Sequence, residues 1–287
     1  MTHKAVSWMF VLPMLLATTL LAACSQQGEQ IASYSALGAE PVARIVFVAG
    51  RDSHGPKAHE HRAGSELLAK SLHEAHPDYD ITVVYGGWPV DTSVFADVDT
   101  IVLYADGGRS HMINKHLDEF EALLDRGVGV VALHYAVEVP AESRSSALLM
   151  RAIGGYFETH WSVNPHWQAE FNELPAHPVT RNVERFSLLD EWYFNMRFQP
   201  GMNGVLPMLR AVPPAQTMER SDGPHSGNPE VRKMVAAGMP QVVAWAYRRP
   251  DGGRGFGFTG GHFHANWDNV NMRTLVLNAI SWTARGR

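Results

Sequence analysis

Four long apolar runs, separated by segments with helical spacing, constrain the fold of this chain more than any other feature. The runs cover residues 43–50, 79–85, 98–105 and 127–134. They are apolar almost throughout, which is typical of parallel strands that are covered on both faces. Residues 59–75, between the first two runs, place leucines at helical intervals. The alternation predicts an α/β fold with a doubly wound parallel sheet and helices on both faces.

The second half of the chain is less regular, but its pattern also predicts elements. Helices are expected at 114–126, 143–152 and 270–284, and strands at 167–171, 241–247 and 255–260, while residues 186–193 mix apolar and acidic side chains. A turn sequence, Arg-Pro-Asp-Gly-Gly, joins the last two strands. Residues 213–239 are rich in Pro, Gly, Ser and charge, which predicts an irregular excursion over the surface.

The N-terminus has the composition of a secretory signal: a short basic start, an apolar stretch and small residues before Cys24. The stretch is too short for a membrane-spanning helix. Because Cys24 stands where bacterial lipoproteins are processed, we expect a signal peptide at 1–23 and lipidation of Cys24. Ser25 behind it resembles outer-membrane sorting, so the expected location is the periplasmic face of the outer membrane. The alternative is an ordinary signal peptide with an incidental cysteine.

The remaining composition bounds the domain organisation and excludes several functions. Residues 24–41 are rich in Gln, Ser, Gly and Ala and predict a flexible tether, and 42–287 suit one α/β domain. The chain has a net charge of −5 and no basic patch, so nucleic acid is not an expected partner. Cys24 is the only cysteine, which excludes an intrachain disulfide and a cysteine-based zinc site. A metal would need His, Asp, Glu or water as ligands.

The histidines are concentrated where predicted strands end. Groups of them lie in residues 51–62, 131–135 and 259–265. Ligands in open α/β sheets bind at the carboxyl ends of the strands. Imidazole is also the commonest protein metal ligand and a proton carrier near neutral pH. These positions predict one functional site at this edge of the sheet, although any single histidine could be structural.

Four residues are predicted as metal ligands, three of them also with catalytic roles. His134 follows the fourth apolar run at a strand-to-helix turn of the nucleophile-elbow kind, so it could act as base or ligand. His54, on a loop, and Glu191, beside aromatic residues, are predicted both as ligands and as catalytic groups. His262, in a glycine-rich segment, is predicted as a ligand only. For Glu191 the alternative is a solvated acidic pair with Asp190.

Further side chains are predicted to contact the substrate. His59 and His61 cannot share a helix face, so at most one of them is expected to point into the site. His262 and His264 would face one side if the strand continued. The predicted substrate contacts are His59, His61, His160, Trp161, Asp190, Tyr193 and His264. Other histidines are expected at the surface, namely His73, His76, His111, His116 and His225, and His177 is expected to be structural.

The order of these motifs resembles the ThuA-like, or trehalose-utilisation, family. The resemblance rests on His54-Gly, His59-Glu-His-Arg, Val-Val-Ala-Leu-His134-Tyr-Ala, Gly-Gly-Tyr-Phe before His160, His177-Pro-Val-Thr, Asp190-Glu-Trp-Tyr and Gly-Gly-His262-Phe. It implies a flavodoxin-like fold similar to class I glutamine amidotransferases. The elbow cysteine of those enzymes is replaced by His134, which excludes their thiol chemistry. The resemblance also implies carbohydrate catabolism, with oxidised (3-keto) glycosides or related sugars as substrates.

Two functions follow as hypotheses. The first is a metal-assisted hydrolase, lyase or isomerase that acts on a small carbohydrate in the cell envelope, with Zn, Mn or Ni as the divalent ion. The second is a non-catalytic lipoprotein that binds a sugar or a partner. Metal content together with turnover would distinguish them. The sequence leaves the oligomeric state open.

Overall fold

A mixed sheet of eight strands forms the centre of the part of the chain that the structure describes. The structure is a computed structural model that describes residues 1, 28–38 and 40–286. Cys24 and residues 2–23 of the predicted signal peptide lie outside this description. The strands are β1 (Glu29–Tyr34), β2 (Ala43–Ala49), β3 (Tyr79–Tyr85), β4 (Thr100–Tyr104), β5 (Gly129–Leu133), β6 (Gly155–Tyr156), β7 (Trp167–Phe171), β8 (Phe186–Asp190), β9 (Arg197–Phe198), β10 (Val205–Ala211), β11 (Gln241–Arg248) and β12 (Arg254–Phe258). The α-helices are α1 (His61–Ala75), α2 (Leu117–Asp125), α3 (Arg144–Ile153), α4 (Pro229–Ala236) and α5 (Val270–Ala284).

The strand order of the central sheet is β1-β3-β2-β4-β5-β12-β11-β10. The five strands from β3 to β12 in this order are parallel, which confirms the predicted α/β class. The sheet is mixed, because β1, β11 and β10 pair antiparallel with their neighbours. For β11 and β12 the reason is the short turn at 249–253, since a tight turn can only reverse the chain.

The edge strand β1 corrects the predicted tether. It lies inside residues 24–41 and pairs with β3, with Glu29 opposite Tyr85 and Tyr34 opposite Ile81. The pairing satisfies backbone groups of β3 that would otherwise form an open edge. Most side chains of β1 are exposed or half-buried, so its sequence has no apolar run that could have predicted a strand.

Helices cover both faces of the sheet, as the continuous apolar strands predicted. On one face, α1 and α5 pack against side chains such as Phe47 and Leu133. On the other face, α2 and α3 pack against the alternate side chains, such as Val48 and Ala132. Successive residues of a strand point to opposite faces, so each buried strand contributes to two cores.

Additional elements lie outside this sandwich. Two small antiparallel sheets, β6 with β9 and β7 with β8, follow α3 in the chain. Residues 213–239, predicted to be irregular, contain α4, which begins at an Asn228 side chain that accepts the backbone N–H groups of Glu230 and Val231. In the described residues, no helix is both long and apolar enough to cross a membrane.

The register aligns the carboxyl ends of the parallel strands. Tyr104 is opposite Ala49 on one side and Leu133 on the other, and Leu133 is opposite Phe258. The residues that follow these strands therefore emerge next to one another along one edge. This alignment places the histidine-rich segments of distant sequence regions at one site.

Candidate metal centre

Three imidazoles and one carboxylate form a ring above the carboxyl ends of β2, β5 and β12. His59 Nε2 lies 3.0 Å from His134 Nε2 and 3.0 Å from His262 Nδ1. Glu191 Oε2 closes the ring, 3.0 Å from His262 Nδ1 and 3.4 Å from His134 Nε2. All four ligand atoms lie within 4.8 Å of one another. We call these four residues the metal centre.

His134 enters the centre from a sharp turn directly after β5. Its φ of 54° is in the left-handed region, which few residues other than glycine adopt. The fully buried ring places Nδ1 2.8 Å from the carbonyl oxygen of Thr259. A carbonyl can only accept, so Nδ1 carries the proton and donates it. The neutral ring of His134 then directs the lone pair of Nε2 into the centre.

His59 is held in the same way by a carboxylate. Its Nδ1 lies 3.0 Å from Asp106 Oδ1, and Ser53 Oγ donates to the same oxygen at 2.7 Å. Nδ1 of the neutral ring is therefore the donor, and the lone pair of Nε2 points at the centre. A histidine that binds a metal characteristically donates its other N–H to a carboxylate or a backbone carbonyl. His59 donates to the carboxylate of Asp106, and His134 donates to the backbone carbonyl of Thr259.

His262 and Glu191 come from two separate parts of the chain that Asp190 joins. The buried Asp190 carboxylate accepts the backbone N–H groups of Gly261, His262 and Glu191, and also the side-chain amide of Asn266. It thereby fixes the end of β8 against the segment after β12. The structure gives Asp190 this anchoring role in place of the predicted substrate contact, because its side chain is fully buried.

Strained backbone occurs at this site. Among the described residues, nine other than glycine have positive φ, and they include His54, His59 and His134. Such conformations cost about 1–3 kcal/mol each and persist where the surroundings impose them. In this chain the strained residues include His59 and His134, whose imidazoles form part of the metal centre.

The electrostatics of the centre favour a bound cation. Burial lowers the pKa of His59 to about 4, although the hydrogen bond to Asp106 acts in the opposite direction. Burial alone would raise the pKa of Glu191, but the adjacent imidazoles of His134 and His262 hold it well below its ordinary value. The centre therefore presents a neutral imidazole at His59 and an ionised carboxylate at Glu191. Nitrogen lone pairs that face one another at 3.0 Å repel, unless a cation lies between them.

The donor set fits a divalent transition metal. Nitrogen and carboxylate ligands bind zinc at about 2.0–2.2 Å, so neighbouring donors are about 3.0–3.5 Å apart. The donor separations of 3.0–3.4 Å around the ring agree with this spacing. Imidazole with carboxylate suits Zn, Mn or Ni, which ligand type alone does not distinguish.

Tyrosine and asparagine side chains complete the surroundings of Glu191. Tyr193 Oη lies 3.1 Å from His134 Nε2 and donates to Glu191 Oε2 at 3.3 Å. Burial and nearby carboxylates raise the pKa of Tyr193 well above its ordinary value, so it remains a hydrogen-bond donor. Asn164 donates to the other oxygen of Glu191 at 3.0 Å, and Arg220 donates to Asn164. Tyr193, predicted as a substrate contact, thus lies against two residues of the metal centre.

The structure brings together three of the four predicted metal ligands, His134, His262 and Glu191. The fourth, His54, is exposed and lies at the rim, with its ring centroid 3.7 Å from that of His59. His54 can form a second group with His59 and Asp106, but the main ring takes His59 in its place. His59 precedes α1, which begins at His61 and not at residue 59 as predicted.

The other predicted substrate contacts lie around or away from the centre. His61 Nδ1 donates to the Arg51 carbonyl, and its Nε2 is 3.9 Å from Asp106. His264 does not share a face with His262, because the strand ends at Phe258, and it lies 3.7 Å from Glu60. His160 is exposed, and Trp161 stacks under the guanidinium of Arg197 at 3.8 Å.

Two histidines predicted at the surface are instead buried or half-buried and hydrogen-bonded to other residues. His111 is buried, and its Nε2 donates to the Ala136 carbonyl. His225 is half-buried, with Nε2 2.9 Å from the buried Glu138 carboxylate. Asp106 was missed altogether, although it follows β4 at the same edge as the other site residues. Its position directly after a predicted strand is the signal that indicates Asp106, although no histidine lies next to it.

The chain is similar to several solved structures. Structures described as ThuA-like match from Bacteroides uniformis (TM-score 0.59, 15% identity, 87% of this chain and 94% of that chain) and from Parabacteroides merdae (TM-score 0.56, 18% identity, 86% and 91%). A glutamine amidotransferase from Thermotoga maritima also matches, with TM-score 0.42, 9% identity and coverage of 85% and 90%. No curated protein matches the chain.

The fold and the position of the site thus define an α/β protein with a ThuA-like sandwich and a histidine-rich centre at its sheet edge. The family model described as trehalose utilisation matches residues 45–283. The chain belongs to the ThuA family, as the order of its motifs indicated.

Proposed function

We propose that this protein is a metal-dependent, carbohydrate-processing enzyme that acts on a keto-glycoside or a related sugar. The observation that carries the proposal is the ring of three imidazole nitrogens and one carboxylate oxygen at the edge where α/β enzymes bind ligands. The family's description as trehalose utilisation supports a sugar as substrate. Hydrolase, lyase and isomerase activities are all compatible with these two facts.

His59, His134, His262 and Glu191 would hold the ion. A divalent ion supplies Lewis-acid polarisation of a carbonyl or hydroxyl oxygen. His134 is fully buried and both of its nitrogens are engaged, so we assign it to ligation and not to direct proton transfer.

Other side chains are placed to handle protons and orient the sugar. His54 is the exposed imidazole at the rim, and Ser53 Oγ lies 2.9 Å from its Nδ1. It is therefore the group that can exchange a proton between substrate and solvent. Tyr193 remains protonated and donates to Glu191, so its oxygen can accept a hydrogen bond from a sugar hydroxyl.

An elimination illustrates chemistry that such a site can perform. In a 3-keto-glycoside the carbonyl acidifies the hydrogen on C2, and a base removes it. The electron pair forms a C1–C2 double bond while the C1–O bond breaks, and the departing alkoxide takes up a proton. His54 is our candidate for the base, and water or the protonated base returns the proton.

We further propose that the enzyme works in the cell envelope, tethered by lipid on Cys24. This rests on the signal-like leader and the position of the cysteine, which lie outside the described residues. A periplasmic location would expose the enzyme to small carbohydrates that cross the outer membrane.

Metal analysis and a turnover screen test the proposal. Protein purified with Zn, Mn or Ni should contain about one ion per chain, and His262→Ala and Glu191→Gln should lose it. His76→Gln is the matched control, because His76 follows α1 and stacks on Tyr79 at the start of β3, at the opposite edge. A metal content near zero in the wild type would overturn the metal role. Tight binding of sugars without turnover of any keto-glycoside would favour the binding lipoprotein.

A further inference from the structure

A polar cavity of about 350 Å³ lies beside the metal centre. Its walls come from the segments that follow β2, β3 and β4, including Gly50, Gly87 and Asp106. Its volume is in the range of small-molecule pockets. Asp106 belongs to both sites, because its carboxylate lines the cavity and also holds His59 Nδ1. A molecule bound here would therefore adjoin the metal centre.

Three cations line this cavity without an ionic partner. Arg51, Arg109 and Lys115 form no side-chain ion pair with any residue in the described part of the chain. Asp106 is the one acidic residue among the described lining residues, and its Oδ1 is already engaged by His59 and Ser53. Some arginines elsewhere, such as the exposed Arg144, are by contrast paired with carboxylates. The cavity consequently carries an uncompensated positive charge.

A buried acceptor in the same cavity also lacks a partner. Asn114 directs its amide nitrogen to the carbonyls of Gly108 and Arg109, which fixes the orientation of the amide. Its Oδ1 is buried and accepts no hydrogen bond from the described residues. A buried acceptor without a partner is costly, and a ligand hydroxyl would satisfy it.

A half-buried imidazole, His116, adds a ring to the cavity wall. Trp88 and His116 line the cavity and stack on each other with ring centroids 5.5 Å apart. The Trp88 indole nitrogen donates to Glu119 at 2.6 Å, which fixes the ring. The His116 ring supported by the buried Trp88, an orphan acceptor for a hydroxyl and unpaired cations form a combination that matches an acidic carbohydrate.

We propose that this cavity binds the anionic group of an acidic sugar, a carboxylate, sulfate or phosphate, while the reacting part of the molecule lies at the metal centre. The inference rests on the proposed carbohydrate-processing function and narrows its substrate class. Arginine pairs with such oxyanions in a bidentate manner, and lysine contributes a point charge. Asn114 and His116 contact the neutral part of the ring.

Binding measurements on the full chain test this assignment. Glucuronate, glucose 6-sulfate and glucose 6-phosphate are titrated by calorimetry against glucose at low and high salt. At least one acidic sugar should bind about tenfold more tightly than glucose, and Arg109→Gln or Lys115→Gln should remove about tenfold of that affinity. High salt should reduce the preference, because these side chains are exposed. The three acidic probes distinguish which oxyanion is preferred.

Arg210→Gln is the matched control, since Arg210 is exposed on the edge strand β10. Equal affinity for glucose and all acidic sugars, or equal losses in Arg210→Gln and Arg109→Gln, would overturn the inference. Binding of acetate or inorganic phosphate as tight as that of the acidic sugars would also overturn it, because the ring would then contribute nothing.

The test separates this inference from the proposed function. If the protein binds acidic sugars through Arg109 but holds no metal and turns over no glycoside, the cavity assignment stands and the enzyme proposal fails. If it turns over neutral keto-glycosides with a bound metal and shows no preference for acidic ones, the cavity assignment fails and the enzyme proposal stands.

Discussion

Replacement of Asp106 should weaken metal binding although Asp106 is not a ligand. Its Oδ1 lies 3.0 Å from His59 Nδ1, and this hydrogen bond keeps the proton on Nδ1 and the lone pair on Nε2. Without it, the ring can rotate or take the other tautomer. Loss of such a supporting group typically costs 10–100-fold in metal affinity, which corresponds to about 1.4–2.7 kcal/mol.

Two substitutions separate the contributions of charge and hydrogen bonding. Asp106→Asn keeps an oxygen that can accept from Nδ1 but removes the charge, so a loss of about tenfold is expected. Asp106→Ala removes both and should approach about 100-fold. Asp118→Asn is the charge-matched control, because Asp118 lies in α2 and its side chain is 89% exposed.

Competition with a chelator of known affinity gives the dissociation constant of each variant, and circular dichroism reports whether it is folded. The reasoning would be refuted if folded Asp106→Ala bound metal within twofold of wild type. A drop of equal size in Asp118→Asn would refute it as well, because the effect would then reflect net charge alone.

Three further outcomes are expected. His134→Ala should lower turnover of a keto-glycoside by about 10²-fold or more, measured by product formation on protein whose fold circular dichroism has verified; wild-type turnover would make His134 a structural residue. The buried His111 uses both nitrogens, donating to Ala136 and accepting from Ile113, and burial lowers its pKa to about 4. Because the unfolded ring takes up protons at higher pH than the folded one, this stabilisation is complete above about pH 6.5 and declines as the pH falls toward 4, by up to about 3 kcal/mol. Urea unfolding of His111→Gln should show a smaller decline than wild type over that window, and parallel curves would contradict this account. Cys24→Ser should abolish incorporation of radioactive palmitate in a Gram-negative host, and unchanged labelling would exclude the lipoprotein prediction.

Local sequence was enough for the elements whose side chains are buried in a regular pattern. The strands at 79–85 and 167–171 and the helix at 270–284 have the predicted bounds. The apolar period and the length of each element depend on which of its faces are buried. Both properties can be read from the sequence of that element alone. The edge strands β1 and β10 were missed because β1 has few buried side chains and β10 contains a proline, which edge positions tolerate.

For the site, the sequence determined the chemistry, and the tertiary structure decided the membership of the metal centre. Histidines and a carboxylate at strand ends are visible in the sequence, which predicts His134, His262 and Glu191 as ligands. The sequence predicts His59 as a substrate contact, and Asp106 is not among the predicted site residues. The backbone turns at His59 and His134 decide where these rings point, and they depend on contacts to Asp106 and Thr259.

Those contacts join residues that are 47 and 125 positions apart in the chain. Side-chain direction at a left-handed turn depends on what holds the turn, and periodicity contains no information about such distant partners. The sequence by itself therefore determined the layered α/β frame and the edge at which a site forms. Only the tertiary structure, through packing and hydrogen bonds between remote segments, decided which imidazoles converge and left the neighbouring cavity with its unpaired cations.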